Sequence, residues 1–291
     1  MLHLQHVAAA LLCCAAAFAQ TPPTPAFEAA SVKPSPAGSR IWPTLRGGPG
    51  TSDPGRIVYT NVTLSRVLER AYDVRTYQVS GPDRLTSDRY DISATIPAGA
   101  GKQQFERMLQ SLLAQRFHLA LHRETRQLAG YELVRGRNGP KLKPSSEGDA
   151  APAGAQPESP AQTGADGFPQ LTAPGLAMME GVRGKSVVSF LTARAQPLSA
   201  LVEMLSKEFR LPILDRTGLG GNFDFTLAFA PQPPGTPPRA PSPDDPPAAP
   251  DDSAPNLIVA VRQQLGLRLI PSKIPVEVLV IDKADRVPAE N

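Results

Sequence analysis

A pair of aspartates, Asp91 and Asp224, occupies equivalent places in two similar stretches of the chain, each directly after an aromatic residue. Two carboxylates contributed by two lobes could act as general acid and base in a hydrolase, provided that they lie roughly 5–10 Å apart, as glycoside hydrolysis requires. Equivalent positions in a repeat more often reflect a shared requirement of the fold, such as an outward strand position or a cap for a turn. Both interpretations remain open from the sequence.

The densest polar motif is Asp215-Arg216-Thr217-Gly218-Leu219-Gly220-Gly221. An Asp-x-Thr-Gly run is typical of aspartic proteases, in which two carboxylates share a proton. The corresponding stretch of the first half carries no copy of the motif, which disfavours a protease. The alternative is a tight turn, in which Asp215 and Thr217 bind nearby backbone amides and the glycines supply backbone angles closed to other residues. The sequence favours the turn.

Two histidines four residues apart, His118 and His122, share their spacing with the zinc motif H-E-x-x-H, but Leu-Ala-Leu separates them. The alternation of Leu119 and Leu121 predicts a strand, in which the two side chains would be about 13 Å apart. That separation is too large for one metal ion with ligand bonds near 2 Å. We therefore expect no metal site, and no motif indicates a cofactor.

The one tryptophan, Trp42, lies in a loop rich in glycine and proline at residues 40–55. A tryptophan on a loop can anchor a partner protein or a sugar. It can equally fill a gap in the core, and the sequence does not decide between the two roles.

The first nineteen residues are predicted to be a signal peptide. Val7–Ala19 is an unbroken run of small and apolar residues that ends in Ala17-Phe18-Ala19, a typical cleavage site. The run is too short to cross about 30 Å of hydrocarbon, so we expect no transmembrane span in the mature chain and a periplasmic or secreted location. Both cysteines lie within it, which excludes a disulfide from the mature chain. A scattered net charge of +3 does not indicate a nucleic-acid partner.

The elements that would position these residues occur twice. Thr63–Glu69 reappears as Pro197–Glu203, an offset of 134 residues, and Arg89–Ile92 reappears as Asn222–Phe225, an offset of 133 residues. Apolar stripes predict four helices, namely Leu64–Ala71, Phe105–Phe117, Leu198–Phe209 and Leu257–Leu265. Thr63 or Asn61 is placed to cap the first helix. Leu119 to Leu133 is expected to form a hairpin, and Leu267–Leu269 and Val276–Ile281 are expected to be separate strands.

These patterns predict an α+β fold of two repeated modules, each with the order helix, strand, strand, helix, strand, strand, in which two helices pack on a small, mostly antiparallel sheet. The predicted boundaries are a signal peptide at 1–19, an N-terminal strand and Gly/Pro-rich loop at 20–56, a first module at 57–143, a low-complexity linker at 144–185, a second module at 186–285 with a proline-rich insertion at 231–255, and a tail at 286–291.

A set of motifs from about Phe27 to Val287 resembles the soil-associated secreted family of acidobacteria, a domain of unknown function. The motifs are Phe27-Glu28-Ala29-Ala30-Ser31-Val32-Lys33-Pro34-Ser35, Tyr77-Gln78-Val79-Ser80-Gly81-Pro82, Asp88-Arg89-Tyr90-Asp91, Leu112-Leu113-Ala114-Gln115-Arg116-Phe117, Leu121-His122-Arg123-Glu124-Thr125, Gly139-Pro140-Lys141-Leu142-Lys143-Pro144 and Asp215–Gly221. The resemblance implies no established activity. Some relatives join this domain to a membrane metallopeptidase of the antibiotic-sensor type, which implies sensing at the cell envelope.

Each half is also similar in pattern to the short N-terminal domain of secretins and TonB-dependent receptors, which docks partner proteins in the periplasm. We therefore expect an exported, non-enzymatic binding module that contacts an envelope protein or a cell-wall component. The alternative is a secreted hydrolase of cell-wall or plant polymers that uses Asp91, Asp224 or Asp215 as acid and base. Carboxylates that converge in a deep pocket would favour the hydrolase, and dispersed carboxylates would favour the binding module.

Overall fold

The computed structural model describes residues 25–36, 38–145, 162–231 and 254–289. The first half contains, in order, β1 (Ala29–Pro34), β2 (Thr44–Gly47), β3 (Arg56–Thr63), α1 (Leu64–Tyr72), β4 (Val79–Ser80), α2 (Arg84–Ser87), β5 (Arg89–Thr95), α3 (Lys102–Phe117) and β6 (Ala120–Arg135). A short 3-10 turn, Thr76–Gln78, precedes β4. The helices begin and end close to the limits that their apolar stripes predict.

The second half follows with β7 (Lys143–Pro144), β8 (Gln162–Thr163), β9 (Pro169–Gln170), β10 (Gly175–Arg183), β11 (Ser186–Pro197), α4 (Leu198–Phe209), β12 (Ile213–Asp215), β13 (Asn222–Phe229), α5 (Leu257–Leu265) and β14 (Leu267–Lys283). Apart from α2 and the small β8–β9 pair, its elements match those of the first half one for one. Thr63 is the N-cap residue of α1, as predicted, but its side chain makes no capping hydrogen bond.

Each half has an antiparallel four-stranded sheet of its own. The strand order is β1-β5-β3-β2 in the first half and β7-β13-β11-β10 in the second. Helices α1 and α3 share one hydrophobic core with β3 and β5. Helices α4 and α5 share a second core with β11 and β13. Burial of the apolar helix stripes against these sheets accounts for the position of the helices.

A third sheet joins the halves, with the strand order β12-β6-β14-β4. The two long strands, β6 and β14, run antiparallel from the Arg135–Leu267 pair at one end to the Ala120–Lys283 pair at the other. Outside them, β4 of the first half pairs in parallel with β14, and β12 of the second half pairs in parallel with β6. Each half thus contributes a short strand to the long strand of the other.

The two hydrophobic cores are interleaved in the same way. Ile281 and Ala284, from the second half, are buried in the first core. Tyr131 and Leu133, from the first half, are buried in the second core. Neither core is therefore complete with the residues of one half.

The predicted fold, α+β with two modules that each pack two helices on one small sheet, is wrong. The chain is mostly β, with 43% of it in strands, 23% in helices and four sheets among the described residues. The predicted hairpin at 119–133 is wrong, because Ala120–Arg135 is a single strand that continues through Gly130. A Cβ atom on Gly130 would lie 2.3 Å from the carbonyl oxygen of Pro212, so this glycine permits close approach of the second half.

The prediction of separate strands at Leu267–Leu269 and Val276–Ile281 is wrong, because both belong to the single strand β14. Pro271 and Pro275 pair with Tyr131 and Gln127 of β6 without interrupting β14. A strand tolerates proline where one of its edges is unpaired. Among the described residues, β4 is the neighbour on the other edge of β14, and it pairs only with Leu279 and Val280.

Several predicted boundaries concern segments outside the described residues. These are the signal peptide at 1–19, most of the proline-rich insertion at 231–255, and residues 146–161 of the predicted linker. The described remainder of that linker, from residue 162, contains β8, β9 and β10. Within the described ranges, no helix combines the length and the hydropathy needed to cross a membrane.

Candidate functional site

Asp91 holds together two segments of the first half. Its Oδ1 atom accepts a hydrogen bond from the Ser35 hydroxyl, at 2.7 Å, and one from the Asn61 backbone amide, at 2.8 Å. Asn61 has a φ of 55° and forms part of a bulge in β3, where the register shifts between Tyr59 and Val62. A carboxylate that accepts from a bulge amide stabilises that backbone conformation. Asp91 therefore positions the segments that contain Ser35 and Asn61.

Asp224 does the same in the second half. Its Oδ1 atom accepts hydrogen bonds from the Ser145 hydroxyl and from the Ala195 backbone amide, both at 2.7 Å. Ala195 has a φ of 50° and lies in the corresponding bulge of β11. Burial acts to raise the pKa of Asp224, but these hydrogen bonds, with Lys143 and Arg194, outweigh it and hold the pKa below its usual value.

We expect Asp224→Ala to lower the free energy of unfolding by about 2 kcal/mol at pH 7, because two hydrogen bonds to a charged group are lost. A folded-state pKa below the unfolded value of 3.8 stabilises the protein fully above pH 3.8, and this stabilisation is lost as the pH falls through the folded value. The difference in free energy of unfolding between Asp224→Ala and wild type should therefore shrink below pH 3.8. Urea unfolding at several pH values measures this difference, and Asp83→Ala, at an exposed position, is the control. A difference that does not change with pH would contradict the role assigned to the Asp224 carboxylate.

The motif from Asp215 to Gly221 is a turn. Asp215 Oδ1 accepts from the Thr217 amide at 2.8 Å, and Thr217 Oγ1 accepts from the Leu219 amide at 3.2 Å. Gly218 and Gly221 have φ values of 64° and 88°, in the region that favours glycine. The side chains of Asp215 and Thr217 thus shape the turn.

This turn is attached to β6 of the first half. The Arg135 guanidinium donates to the carbonyl oxygens of Thr217 and Gly218, at 2.6 and 3.0 Å. The Arg216 amide donates to the Leu133 carbonyl oxygen at 2.9 Å. The motif therefore joins the two halves at the end of the parallel β12–β6 pair.

The two histidines pair separately with carboxylates of the C-terminal region. His118 ends α3 with a φ of 45°, so the prediction that it lies in a strand is wrong; its Nδ1 atom is 2.7 Å from Asp285. This hydrogen bond lowers the pKa of Asp285. His122 lies in β6, 2.9 Å from Asp282, which raises the pKa of His122. In the part of the chain that the structure describes, no group of three or more His, Cys, Asp or Glu could hold a metal ion.

Trp42 is exposed and does not fill the core. Its side chain is 86% accessible, and that of the preceding Ile41 is 58% accessible. The Ile41 carbonyl oxygen accepts a hydrogen bond from the side-chain amide of Asn61, the residue whose backbone amide binds Asp91. The structure thus places the loop of Trp42 beside the segments that Asp91 organises, whereas Asp215 and Asp224 belong to the second half.

A surface depression of about 640 Å³ lies next to this loop, because its lining includes Ser39, which precedes the loop, and Asn61, which binds the Ile41 carbonyl oxygen. A second depression of about 810 Å³ shares Arg286 and Val287 with the first and continues it past Arg84 and Asp285. We call the two depressions together the tail groove, because the C-terminal residues Arg286 and Val287 form one wall. The first depression is lined by Pro34, Ser35, Pro36, Gly38, Ser39, Asn61, Ser87, Asp88, Arg89, Tyr90, Arg286 and Val287.

Hydrogen bonds fix the C-terminal wall of the tail groove. The Tyr90 hydroxyl donates to the Arg286 carbonyl oxygen at 2.8 Å, and Arg286 Nε donates to Asp88 at 3.0 Å. Burial and the neighbouring Asp88 raise the pKa of Tyr90, which keeps its phenol protonated as a donor. Arg84 donates to the Ala284 carbonyl oxygen at 2.9 Å. The wall is therefore held in place before any partner binds.

The tail groove carries an excess of positive charge. Arg84 and Arg89 are exposed, and their hydrogen bonds go to the carbonyl oxygens of Ala284 and Asn61, which do not neutralise a guanidinium. Within the described ranges, neither has a carboxylate partner. Val287, 70% accessible, adds an apolar contact on the same wall. The groove therefore presents guanidinium groups without a carboxylate partner in the described ranges beside an apolar side chain.

The sequence did not single out the arginines of this groove. Arg84, Arg89 and Arg286 are separated by up to two hundred residues, and no local spacing connects them. The one available signal is the position of Arg89, two residues before Asp91. The contact between the C-terminal tail and strand β5 depends on the tertiary fold and leaves no motif.

Comparison with known proteins gives one match. A family model described as "Protein of unknown function (DUF3738)" matches residues 65–284. No curated protein and no solved structure matches the chain.

Proposed function

Because the chain belongs to the DUF3738 family, a family of unknown function, we propose from its geometry that it is a non-enzymatic binding module that docks an extended, acidic segment of a partner protein in the tail groove. The prediction of a domain of unknown function is confirmed. The finer resemblances, to the soil-associated secreted acidobacterial family and to the short domain of secretins and TonB-dependent receptors, are part of the proposal. So are export to the periplasm or beyond and a partner in the cell envelope.

The observation that carries the proposal is the exposure of Trp42 beside a preformed groove. Trp42 and the neighbouring Ile41 are exposed together, and tryptophan is among the residues most enriched at the centres of protein interfaces. Arg84 and Arg89 lie in the same groove system without a carboxylate partner in the described residues. Acidic side chains of a partner would provide one.

The alternative function, a hydrolase with paired carboxylates, is supported by no specific contact. Asp91 and Asp224 each accept two hydrogen bonds within their own half, and Asp215 accepts one within its own turn. Within the described ranges no hydrogen-bond partner is shared between any two of them. The Oδ1 atoms of these three aspartates hold backbone bulges and a turn. Paired acid–base catalysis also needs a second carboxylate beside the first.

Trp42→Ala should weaken peptide binding at least tenfold, because an interface tryptophan commonly contributes about 2 kcal/mol or more. The test is a random-peptide display selection against the purified protein, followed by fluorescence polarisation with the enriched peptides. We expect enriched peptides to carry acidic residues and a large apolar residue, and their affinity to fall with rising salt. Val182→Ala, at an exposed apolar position of the second half, is the matched control and should leave affinity unchanged.

Two results would contradict the proposal. One is a selection that enriches no peptides, and the other is an affinity that Trp42→Ala leaves intact. Hydrolysis of a cell-wall or plant polymer that is lost in the double variant Asp91→Asn, Asp224→Asn, with the fold retained, would favour the hydrolase instead.

A further inference from the structure

A second concave site lies in the other half of the molecule. It is a cavity of about 430 Å³, within the size range of small-ligand sites. Its polar lining consists of Lys141, Thr192, Arg194, Asp224, Thr226 and Gln264. Two cations and one carboxylate thus face a single cavity.

Comparison of the two halves distinguishes residues that serve the fold from residues that do not. The strand pairings align Lys33 and Lys143 opposite Asp91 and Asp224, and the serines that bind these aspartates follow two residues later in both halves. Both halves thus have the same set of lysine, aspartate and serine, which serves the strand bulge that they share. The shared bulge does not account for residues of the cavity that have no chemical counterpart in the first half.

Three cavity residues differ in this way. The register of β3 with β5 and of β11 with β13 aligns Thr192 with Val58 and Arg194 with Thr60. Counting back from the paired lysines aligns Lys141 with Ser31. Where the first half has one apolar and two neutral polar side chains, the second half thus has one hydroxyl and two cations, and all three line one cavity.

Lys141 and Asp224 keep hydrogen-bonding capacity that their contacts with the described residues do not use. Lys141 Nζ donates to the Gln263 carbonyl oxygen at 2.9 Å, which occupies one of its three protons. Asp224 accepts both of its hydrogen bonds at Oδ1, and its Oδ2 atom accepts none from the described residues. The buried Thr192 hydroxyl likewise has no partner within those residues. A ligand with a carboxylate and an N–H group complements this set.

We propose that the cavity around Lys141, Arg194 and Asp224 binds the free carboxyl terminus of a short peptide. The terminal carboxylate pairs with Lys141, on the side of the cavity where Arg194 adds positive charge, and a backbone N–H of the peptide donates to Asp224 Oδ2. The hydroxyls of Thr192 and Thr226 complete the polar lining. This site is separate from the tail groove and does not depend on the proposed function.

The probe is N-acetyl-alanyl-alanine, with its C-terminal amide as the neutral analogue, titrated into the isotope-labelled full chain and followed by NMR chemical shifts. We expect saturable shifts at Thr192, Thr226 and Asp224 with the free acid and a loss of binding of roughly tenfold with the amide, because a charge-assisted hydrogen bond is removed. Lys141→Gln should reduce affinity for the acid to a similar extent. Lys185→Gln, at an exposed lysine in a turn of the same half, should not.

Arg194 also donates to the carbonyl oxygens of Leu171 and Thr172, so a change there can disturb the loop. The exposed Lys141 avoids this difficulty and decides the test. Equal affinity for acid and amide, equal affinity of wild type and Lys141→Gln, or the absence of saturable shifts at the cavity would overturn the proposal. Trp42→Ala should not affect this titration, so the two sites are tested independently.

Discussion

Neither half of the chain is expected to fold alone: the fragments 25–145 and 162–289, expressed separately, should show no cooperative unfolding transition. Each fragment lacks buried residues of its own core, since Ile281 completes the first core and Leu133 completes the second. Loss of even one such side chain costs about 2–5 kcal/mol, a large share of the 5–15 kcal/mol that stabilise a typical domain. Each fragment would also expose a long strand with both edges unpaired.

Mixing or co-expressing the two fragments should restore a 1:1 complex with a single transition, because the β6–β14 ladder and the β4 and β12 pairings can all form between separate chains. Differential scanning calorimetry and size-exclusion chromatography measure both outcomes. A fragment that alone unfolds cooperatively near the melting temperature of the intact protein would contradict the shared-core description.

Gly266→Ala should lower the free energy of unfolding by about 3 kcal/mol or more, through backbone strain and overpacking together. Gly266 ends α5 with a φ of 66°, and a Cβ atom there would lie 2.2 Å from the Gly139 carbonyl oxygen. Because Gly139 is backbone in a turn rather than a flexible side chain, the contact cannot be relieved by a change of rotamer. Urea unfolding of the intact chain measures the loss.

His118 provides the matched control, because it ends α3 in the same left-handed conformation but carries a side chain. His118→Ala removes the exposed pair with Asp285 and keeps the backbone strain, so we expect a much smaller loss than for Gly266→Ala. Similar losses for the two variants would contradict the role assigned to the contact at Gly266.

The local elements could be predicted from the sequence, because their apolar periodicity is set by the core they face. The stripes of α1, α3, α4 and α5 are buried against their sheets as their spacing predicts. The equivalence of Asp91 and Asp224 was also visible, and the structure shows the hydrogen bonds behind it. Side-chain periodicity reports which face is buried, and here it did so correctly.

The way the halves join could not be predicted. An alternating strand shows the same pattern whether it turns back on itself or continues to a distant partner, so β6 was predicted as a hairpin. Glycine and proline often end a strand, but Gly130 lies within β6 and permits a close approach of the Pro212 backbone. Pro271 and Pro275 lie within β14, whose second edge is largely unpaired in the described residues. Glycine and proline have more than one structural use, and only the tertiary contact decides which applies.

The candidate site was predicted only in part. Trp42 was identified, but its exposure depends on what the rest of the chain covers. The groove beside it is assembled from residues 34–36, 38–39, 84–90 and 286–287. Hydrogen bonds of Tyr90 and Arg286 hold the last two of these segments together. A site built from three distant segments has no spacing for a sequence pattern to detect.

The central claim is that a partner docks in the tail groove beside Trp42. Its most direct test is site-specific photocrosslinking in the native cell, with a photoreactive amino acid in place of the exposed Ile41, which leaves Trp42 intact, and, in a second strain, in place of the exposed Val182 on the other half. We predict one dominant adduct at position 41, with the crosslink mapped to an acidic, extended segment of the partner, and none of that adduct at position 182. No adduct at position 41, or the same adducts at both positions, would contradict the proposed docking.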